Sequence, residues 1–544
     1  MSNPLKYVTS TPTGALKHAN LGVGVANAQY DETFNSGLNP STLTTYYLVY
    51  EPVNGAAVRI YAPANATELI QLAKSKGSSE TTEAGALTWL SDNGYYPANK
   101  VLDNVVTDDL EFYIDSRNAI SYPRSGDDIL DLSGDANDGT LNNGPSFDED
   151  SESLVFDGVD DSISTGITTQ LEDFSVVVVF KNDSSAAWGR LVDKMYTVGF
   201  FISSYFASFG SGYVGAGIIE PTSPHGQALQ YNTSKHNYFV VTRSGTTHTI
   251  YLNGSGTSSS KVGSSANLSS TTMAIGSWFD GRGSQIYTGE ISQVLLYSKA
   301  LTTAEIDQNY YKGSIVTDDL YFAMDASNLV SFEPDTTAVY NLKGPFSAAA
   351  GDAVLNNGVS YSDSGNGSWS FGGGGSPRNT YIRAGGSPGP FDLPGWDGYT
   401  IDVWVRRTAF GTWTSGTTNY DGIWNYYWNH SLSFSGAHTG LNYINGTGLS
   451  AYTIQMDRWY NVIMTHDNNS ASNNHKVYID GELQQTSTVA NPTLSSGNIR
   501  SFYIGNWDAS WSMVGEIGIL QIYDRYITDS EASQNYNAYK KKYN

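Results

Sequence analysis

The chain has 544 residues, no cysteine and a formal net charge of −24 at pH 7. Its length exceeds what one hydrophobic core serves, so several domains are expected. The lack of cysteine excludes disulfides, zinc–thiolate sites and thiol nucleophiles, and the negative charge argues against nucleic acid and anionic membranes as partners.

Residues 1–105 are predicted to form an N-terminal arm followed by a small α/β attachment domain. Residues 1–24 show no periodicity, whereas 44–51 and 57–61 have the pattern of strands. Helices are predicted from Asn65 onward and over residues 83–90. Residues 1–14 lack the apolar core of a signal peptide, and no apolar run is long enough to span a membrane. We therefore expect synthesis in the cytoplasm without membrane insertion.

The rest of the chain contains an internal duplication. The run VTDDL at 106–110 recurs at 316–320, and LNNG at 141–144 recurs at 355–358. The same order continues with YLNG at 251–254 and YIDG at 478–481, then GEI at 289–291 and 515–517, and QNY at 308–310 and 534–536. The second copy has gained residues in its middle, which usually happens in loops. The copies are predicted to be two domains, 106–313 and 314–544.

Each copy has the pattern of a β-sandwich that ends in one short helix. In the first copy, strands are predicted at 110–114, 174–180, 238–242, 249–252 and 291–297. Thr302 with Glu305, and Thr528 with Glu531, have the spacing of a helix capping box. The cluster Lys540, Lys541 and Lys542 then falls at a helix C-terminus, where a solvated helix end explains it better than a nucleic-acid surface.

Three segments carry a resemblance to a known family. Residues 153–163, SLVFDGVDDSI, look like the first long strand of laminin G-like, concanavalin A-like jelly rolls, and residues 289–306 resemble their closing strand and terminal helix. Residues 131–141, DLSGDANDGTL, are similar to the entry region of such domains in marine bacteriophage structural proteins. The segments 22–27 and 62–65 resemble the leading module of cyanophage-like virion proteins.

The resemblance implies a mainly β fold: two tandem antiparallel jelly-roll β-sandwiches after a small N-terminal α/β domain. It implies a non-enzymatic bacteriophage virion surface protein, a tail fibre, adhesin or decoration, whose lectin-like domains bind host surface polysaccharide. Its partners would be other virion proteins, reached through the N-terminal domain, and it would be a homo-oligomer or present in many copies. Two alternatives stay open: a purely structural virion component, and a secreted glycan hydrolase.

Candidate sugar-binding residues are aromatic side chains beside amides, because sugar rings stack on flat faces while their hydroxyls bond polar groups. The densest set consists of Trp424, Tyr426, Tyr427, Trp428, Asn429 and His430. All of these but Tyr426 are taken as site candidates, with Trp511 as a further surface candidate. The competing interpretation is that alternate aromatics in this stretch face the core of a strand. Trp278 and Trp507 occupy matching positions in the two copies, which favours a structural role.

Asp157, Asp160 and Asp161 could offer oxygen ligands to calcium, or could simply form a turn. The second copy has FGGGG at 371–375 where the first has FDGVD at 156–160, so no equivalent carboxylates are expected there. No cofactor is required by any motif. No complete set of catalytic residues is found, since the partial Glu-x-Asp motif at Glu305 lacks its second glutamate.

Overall fold

The structure is a computed structural model, and by its contacts the chain separates into two compact units, Met1–Tyr310 and Tyr311–Asn544. The three-domain boundaries stay a prediction. The structure describes residues 16–17, 24–25, 28–30, 49–53, 57–61, 66–82, 85–86, 89–90, 95–97, 105–118, 121–122, 124, 126–133, 137–182, 189–195, 199–204, 212–219, 224–262, 271–278, 285–334, 336–344, 352–362, 367–372, 380–385, 390–391, 393, 395–409, 420–427, 430–435, 441–443, 447–449, 452–489, 502–507 and 511–543.

The N-terminal region combines short strands with a helix, as predicted. Strand β3 pairs in parallel with β5, which pairs antiparallel with β4, and β4 with β6. Leu69, Leu72 and Ala73 of helix α1 are buried in a small core with Val49 and Tyr61. The elements are β1 Leu16–Lys17, β2 Gly24–Val25, β3 Ala28–Tyr30, β4 Val49–Val53, β5 Ala57–Tyr61, α1 Ala66–Ser75 and β6 Tyr96–Pro97.

The first copy is an antiparallel sandwich of two sheets. One sheet has the order β10-β11-β22-β13-β18-β19-β20, with β7 also pairing with β22, and the other has the order β17-β16-β15-β14-β21-β12-β9-β8. The elements are β7 Leu110–Asp115, β8 Asp128–Ile129, β9 Gly139–Asn142, β10 Ser146–Asp148, β11 Ser153–Asp157, β12 Ser162–Thr165, β13 Phe174–Lys181, β14 Arg190–Met195, β15 Gly199–Ser203, β16 Tyr213–Ile219, β17 Pro224–Gln230, β18 Asn237–Ser244, β19 Thr247–Leu252, β20 Ser258–Val262, β21 Ala274–Ile275, β22 Thr288–Tyr297 and α2 Thr303–Tyr311.

The second copy repeats this plan. Its first sheet has the order β26-β27-β40-β29-β34-β35-β36, with β23 also pairing with β40, and its second contains β24-β25-β28-β37-β30-β31-β32-β33 together with β38 and β39. The elements are β23 Leu320–Asp325, β24 Ala338–Val339, β25 Ala353–Asn356, β26 Ser360–Ser362, β27 Ser368–Gly372, β28 Tyr381–Ala384, β29 Gly398–Arg407, β30 Tyr420–Tyr427, β31 His430–Ser435, β32 Leu441–Tyr443, β33 Thr447–Leu449, β34 Trp459–Asp467, β35 His475–Ile479, β36 Glu482–Ser487, β37 Phe502–Ile504, β38 Asn506–Trp507, β39 Trp511–Ser512, β40 Val514–Tyr523 and α3 Asp529–Tyr543.

The central strands are apolar without alternation because both of their faces are covered. Strand β13, FSVVVVFK, is buried along almost its whole length, and β29 of the second copy is buried in the same way. Each sandwich encloses its own large hydrophobic core between the sheets. The predicted fold class is confirmed. Among the described residues, no helix combines the length and apolar character needed to cross a membrane.

Repeated sequence motifs make the same hydrogen bonds in both copies. The side chain of Asn309 accepts the N–H of Val106 (2.7 Å) and donates to the Tyr297 hydroxyl (3.0 Å). Asn535 does the same with Val316 (2.9 Å) and Tyr523 (2.9 Å). The repeated QNY motif therefore ties the terminal helix of each copy to the segment that enters its first strand.

Both predicted capping boxes are present. Thr302 Oγ1 accepts the N–H of Glu305 (3.3 Å), and the Glu305 carboxylate accepts the N–H of Thr302 (2.8 Å). Thr528 and Glu531 repeat the arrangement at 3.3 and 2.7 Å. These reciprocal bonds satisfy backbone donors that the first turn of a helix otherwise leaves unpaired.

One prediction about the last helix is wrong. Lys542 does not extend into solvent: its Nζ lies 2.9 Å from Asp325 Oδ1 and 2.6 Å from Ser327 Oγ, and both charged side chains are almost fully buried. The reason is that helix α3 packs along the sheet that contains Asp325, so its last turn reaches a buried carboxylate. Lys540, by contrast, is exposed.

Candidate functional site

The predicted aromatic cluster is not a single exposed surface, because Trp424 is fully buried. Its ring stacks on Phe502 with centroids 5.4 Å apart, inside the core of the second sandwich. Strand β30 lies between β31 and β37, and the Trp424 side chain belongs to the core between the two sheets. Trp424 cannot offer a face to a sugar, and the core interpretation is the correct one for this residue.

The structure does not test the other residues of that prediction. Tyr427 pairs with His430 through the backbone, and Trp511 pairs with Trp507 in the same way, but their side chains lie outside what the structure describes. Trp428 and Asn429 are also outside the described residues. In the first copy Trp278 is half-buried, with the Arg190 guanidinium 5.5 Å from its ring centre.

The three aspartates of the first copy do come together. Asp157, Asp160 and Asp161 place carboxylate oxygens within 4.8 Å of one another, with Asp157 and Asp160 exposed and Asp161 buried. Asp161 Oδ2 accepts the N–H of Asp157 (2.9 Å), and Asp157 Oδ1 accepts the N–H of Val159 (2.7 Å). Burial, followed by the charges of Asp157 and Asp160, raises the pKa of Asp161. A cation would relieve this repulsion, while the internal hydrogen bonds are those of a turn.

A serine, a histidine and a glutamate meet in the first copy, but not as a catalytic triad. Ser153 Oγ lies 3.1 Å from His236 Nε2, and Glu290 Oε2 lies 3.4 Å from the same nitrogen. A triad needs the serine and the acid on opposite ring nitrogens. Ser153 is also fully buried, so no substrate can reach it. The cluster is part of the packing between strands β11 and β22.

An open groove lies in the second copy. It has a volume of about 460 Å³ and lies where the β34–β35 hairpin meets the segment that leads into helix α3. We call it the Tyr526 groove. Its lining consists of Thr465, Asp467, Asn473, Asn474, Lys476 and residues 526–530.

Tyr526 supplies the flat surface of this groove. Its side chain is 49% exposed, which is unusual among the large hydrophobic residues of the described chain. A Cβ added at Gly398 would stand 3.0 Å from its ring atom Cδ1 and 2.7 Å from the carbonyl oxygen of His466. Tyr526 therefore rests against the strand at a position where only glycine leaves room. This contact positions the ring while leaving about half of it open to solvent.

Another part of the groove is polar and is stabilised by an ion pair. Asp529 Oδ1 lies 2.6 Å from Lys476 Nζ and accepts the hydroxyl of Tyr478 at 2.7 Å. The hydrogen bond from Lys476, then that from Tyr478, lowers the pKa of Asp529, so this carboxyl stays ionised. Burial and the charge of Asp529 raise the pKa of Tyr478. Since Asp529 begins helix α3, the interaction also fixes the helix against strand β35.

Asn474 and Asp467 are held in place by hydrogen bonds to the backbone. The Asn474 side chain donates to the carbonyl of Val489 (2.9 Å) and accepts the N–H of Val489 (2.9 Å). Asp467 Oδ1 accepts the N–H of Asn469 at 2.9 Å and so stabilises the turn that follows β34. A preformed wall limits the ordering entropy that a ligand must overcome on binding.

The first copy lacks these features at the matching positions. Three residues after the matched tyrosines, Tyr297 and Tyr523, the first copy has Ala300 and the second Tyr526. When the two copies are aligned by their strand pairing, Ser244 of β18 takes the position of Asp467 in β34. In the same alignment, Thr249 of β19 takes the position of Lys476 in β35. Thr303 stands where the second copy has Asp529. The aromatic ring and the charges are therefore specific to the second copy.

Sequence reasoning missed Tyr526 because it searched for dense aromatic clusters. The available signal was the disagreement between the copies: YSKALTT at 297–303 against YDRYITD at 523–529. The first copy forms the same strands with alanine at this position, so the shared fold does not depend on an aromatic side chain there.

A family model for the concanavalin A-like lectin/glucanases superfamily, Laminin_G_3, matches residues 157–307 and 374–533. The chain belongs to this superfamily. Both copies are matched separately, which agrees with the duplication of the laminin G-like domain. Comparison with curated proteins gives no match.

Solved structures similar to this superfamily member include several binding domains. Domain 4 of AbnA, a GH43 extracellular arabinanase from Geobacillus stearothermophilus in complex with arabinotriose, is 18% identical over 40% of this chain and 97% of its own, with a TM-score of 0.28. The binding domain of botulinum neurotoxin serotype D/C is 9% identical over 79% of this chain and 98% of its own, with a TM-score of 0.33. The CBM40 of the Ruminococcus gnavus IT-sialidase, bound to α2,3-sialyllactose, is 15% identical over 25% of this chain and 81% of its own, with a TM-score of 0.21. These scores are low, so the family assignment rests on the family model.

Proposed function

We propose that the chain is a non-enzymatic glycan-binding protein and that the Tyr526 groove is its sugar site. The observation that carries the proposal is a half-exposed tyrosine ring beside a carboxylate, amides and an ion pair in one groove. A sugar ring stacks its C–H face on the aromatic while its hydroxyls bond the surrounding polar groups. The groove's volume, about 460 Å³, suits one or two sugar rings rather than a long chain.

A shallow site of this kind binds weakly by itself. A dissociation constant near 1 mM corresponds to about −4 kcal/mol. Many copies on one particle raise the overall avidity by roughly 10²- to 10⁴-fold without any better contact. Weak binding by one groove is therefore sufficient if the protein acts in many copies.

The test is glycan binding by the full chain and by two tyrosine variants. Tyr526→Ala should lower the affinity by at least about tenfold, or about 1.4 kcal/mol, because the stacking surface is lost. Tyr503→Ala is the matched control, since Tyr503 is also partly exposed but pairs with Tyr381 on the other sheet. Binding that is unchanged in Tyr526→Ala, or lost equally in both variants, would refute this site.

We place this activity on a bacteriophage virion surface, as a tail fibre, adhesin or decoration. The support is the likeness of residues 131–141 and of the N-terminal segments to virion proteins, together with a net charge of −24 that suits high copy number without association. The N-terminal domain would attach the chain to other virion proteins. Imaging of purified particles with labelled antibody tests the location. Grooves covered by a neighbouring subunit would favour the purely structural alternative.

Catalysis is not part of the proposal. The groove holds two carboxylates, and Asp529 is kept ionised by Lys476 and Tyr478, so the general acid of a glycoside hydrolase would have to be Asp467. Release of reducing sugar by the wild type, abolished in Asp467→Asn, would instead establish the hydrolase alternative.

The Asp157 loop is proposed as a calcium site that supports the first sandwich. Carboxylate oxygens suit calcium, which takes six to eight oxygen ligands, so backbone oxygens or water would complete the set. Calcium should raise the thermal midpoint of the wild type and not that of Asp161→Asn. An equal response in both would show that the aspartates only form a turn.

A further inference from the structure

The charges of the Tyr526 groove restrict the kind of sugar it accepts. Its one cation, within the described lining, is Lys476, and that cation is already neutralised by Asp529 at 2.6 Å. The side chains are 35% and 61% exposed, so the pair sits at the edge of the groove rather than deep inside. An anion that approaches Lys476 also meets the negative charge of Asp529, which offsets the attraction.

Asp467 is the uncompensated charge. Its Oδ1 accepts one backbone N–H, from Asn469, and no lysine, arginine or histidine of the described chain lies within ion-pair distance of it. With Lys476 and Asp529 offsetting each other, Asp467 leaves one negative charge among the described lining residues. The groove is therefore net negative, in a chain that is itself strongly negative.

Resting on the glycan-binding function proposed above, we infer that the Tyr526 groove takes neutral or amino sugars and rejects acidic ones. Like charges a few ångströms apart repel even in the high dielectric of a protein surface, so a uronate, sulfate or phosphate group is disfavoured beside Asp467. A neutral sugar donates its hydroxyls to the second oxygen of Asp467 while its ring stacks on Tyr526. An amino sugar adds an ammonium that gains from both the carboxylate and the tyrosine ring.

The experiment is an array of neutral, amino and acidic oligosaccharides, probed with the full-length chain and its variants. Signals that disappear in Tyr526→Ala and persist in Tyr503→Ala are assigned to the groove. We expect these signals on neutral and amino sugars only. Groove-dependent signals that are strongest on acidic sugars would overturn the inference and leave glycan binding intact. No groove-dependent signal at all would overturn both.

Asp467→Asn provides the charge-specific readout. Its affinity for an amino oligosaccharide, such as a glucosamine trimer, should fall by about tenfold, because a charge-assisted hydrogen bond becomes a neutral one. Added sodium chloride should weaken binding of this probe more in the wild type than in the variant, because only the wild type has the Asp467 charge beside the bound ammonium. Equal salt dependence in the two proteins, or stronger binding of the trimer by Asp467→Asn, would contradict the assigned role of Asp467.

Discussion

In the second sandwich the terminal helix runs for 15 residues, Asp529–Tyr543, whereas in the first it ends after 9, Thr303–Tyr311. The additional turns lay Tyr543 on Trp404, with ring centroids 4.6 Å apart, and a side chain at Gly518 would collide with the Tyr543 ring. The first sandwich has Val179 and Ser292 at the positions of Trp404 and Gly518. The same strand frame therefore supports two different ways of covering its outer face.

The sheet face that lies under the terminal helix also differs in polarity between the two sandwiches. The second sandwich buries Asp402, which accepts side-chain amides from Asn461 (2.6 Å) and Asn535 (3.0 Å). The first sandwich has Val177 at that position, two residues beyond the matched pair Ser175 and Thr400. The two copies thus share the hydrogen bonds that join the terminal helix to the start of the domain. They differ in the residues that lie between this helix and the sheet.

The largest difference is expected from the aromatic stack. Trp404→Ala should destabilise the second sandwich by about 3–5 kcal/mol, since a fully buried tryptophan leaves a large cavity. Val179→Ala should cost the first sandwich only about 1–2 kcal/mol. Native-state hydrogen exchange of the full chain reports on each sandwich separately. Similar losses for the two substitutions would show that the helix contributes little to the second sandwich.

The buried ion pair should have the next largest effect. Lys542→Met should destabilise the second sandwich by about 3 kcal/mol, because it leaves the Asp325 carboxylate buried without its cation. Lys540→Met is the control: that side chain is exposed, so its loss should stay within about 0.5 kcal/mol. Adding Asp325→Asn to Lys542→Met should recover most of the stability. Failure of this rescue would mean that Lys542 acts through packing alone.

A pH dependence should separate the sandwiches. Burial raises the pKa of Asp402 to about 7, in surroundings that include Tyr523 and Tyr539. The folded state therefore holds this proton more tightly than the unfolded state. Stability from this group is complete below about pH 4 and is lost as pH rises toward 7, with a slope of at most about 1.4 kcal/mol per pH unit.

Asp402→Asn should remove that slope from the second sandwich. The first sandwich has its own buried carboxyl, Asp131, whose pKa burial raises to about 6 despite hydrogen bonds from Tyr113, Ser133 and Asn137. Its stability should therefore stop falling near pH 6, while that of the second sandwich continues to fall to about pH 7. Asp131→Asn is well suited as the control, because Asn341 fills the matching position of the second copy and accepts the N–H of Ala323. Unfolding followed from pH 4 to 8 by hydrogen exchange checks both substitutions.

Much of the fold could be predicted because the repeated motifs are the ones that close it. The asparagine of each QNY motif bonds the valine of each VTDDL motif, and both capping boxes follow from their spacing. Such bonds depend on particular side chains at particular separations. They therefore leave a clear record in the sequence.

The site could not be predicted in the same way. Ile423, Trp424, Asn425 and Tyr426 are all buried, so alternation along β30 does not distinguish an inward from an outward aromatic. The Tyr526 groove joins residues from a hairpin and from the start of a helix, which are brought together only by the tertiary fold. The Lys542–Asp325 ion pair could not be predicted for the same reason, since Asp325 lies in the first strand of the domain and Lys542 in its last helix.

The smallest effect is expected where the copies agree. Thr302→Ala and Thr528→Ala should each cost about 1 kcal/mol, because each removes the hydroxyl that accepts a backbone N–H at the start of a helix. The substitution at Thr528 should also weaken binding in the Tyr526 groove, since Thr528 lines it and precedes Asp529. Thr302→Ala is the control, because it should cause the same loss of stability in the first copy, which lacks the groove residues. Equal effects on glycan binding would therefore mean that the cap acts only through stability, whereas a deficit confined to Thr528→Ala would tie the start of helix α3 to the groove.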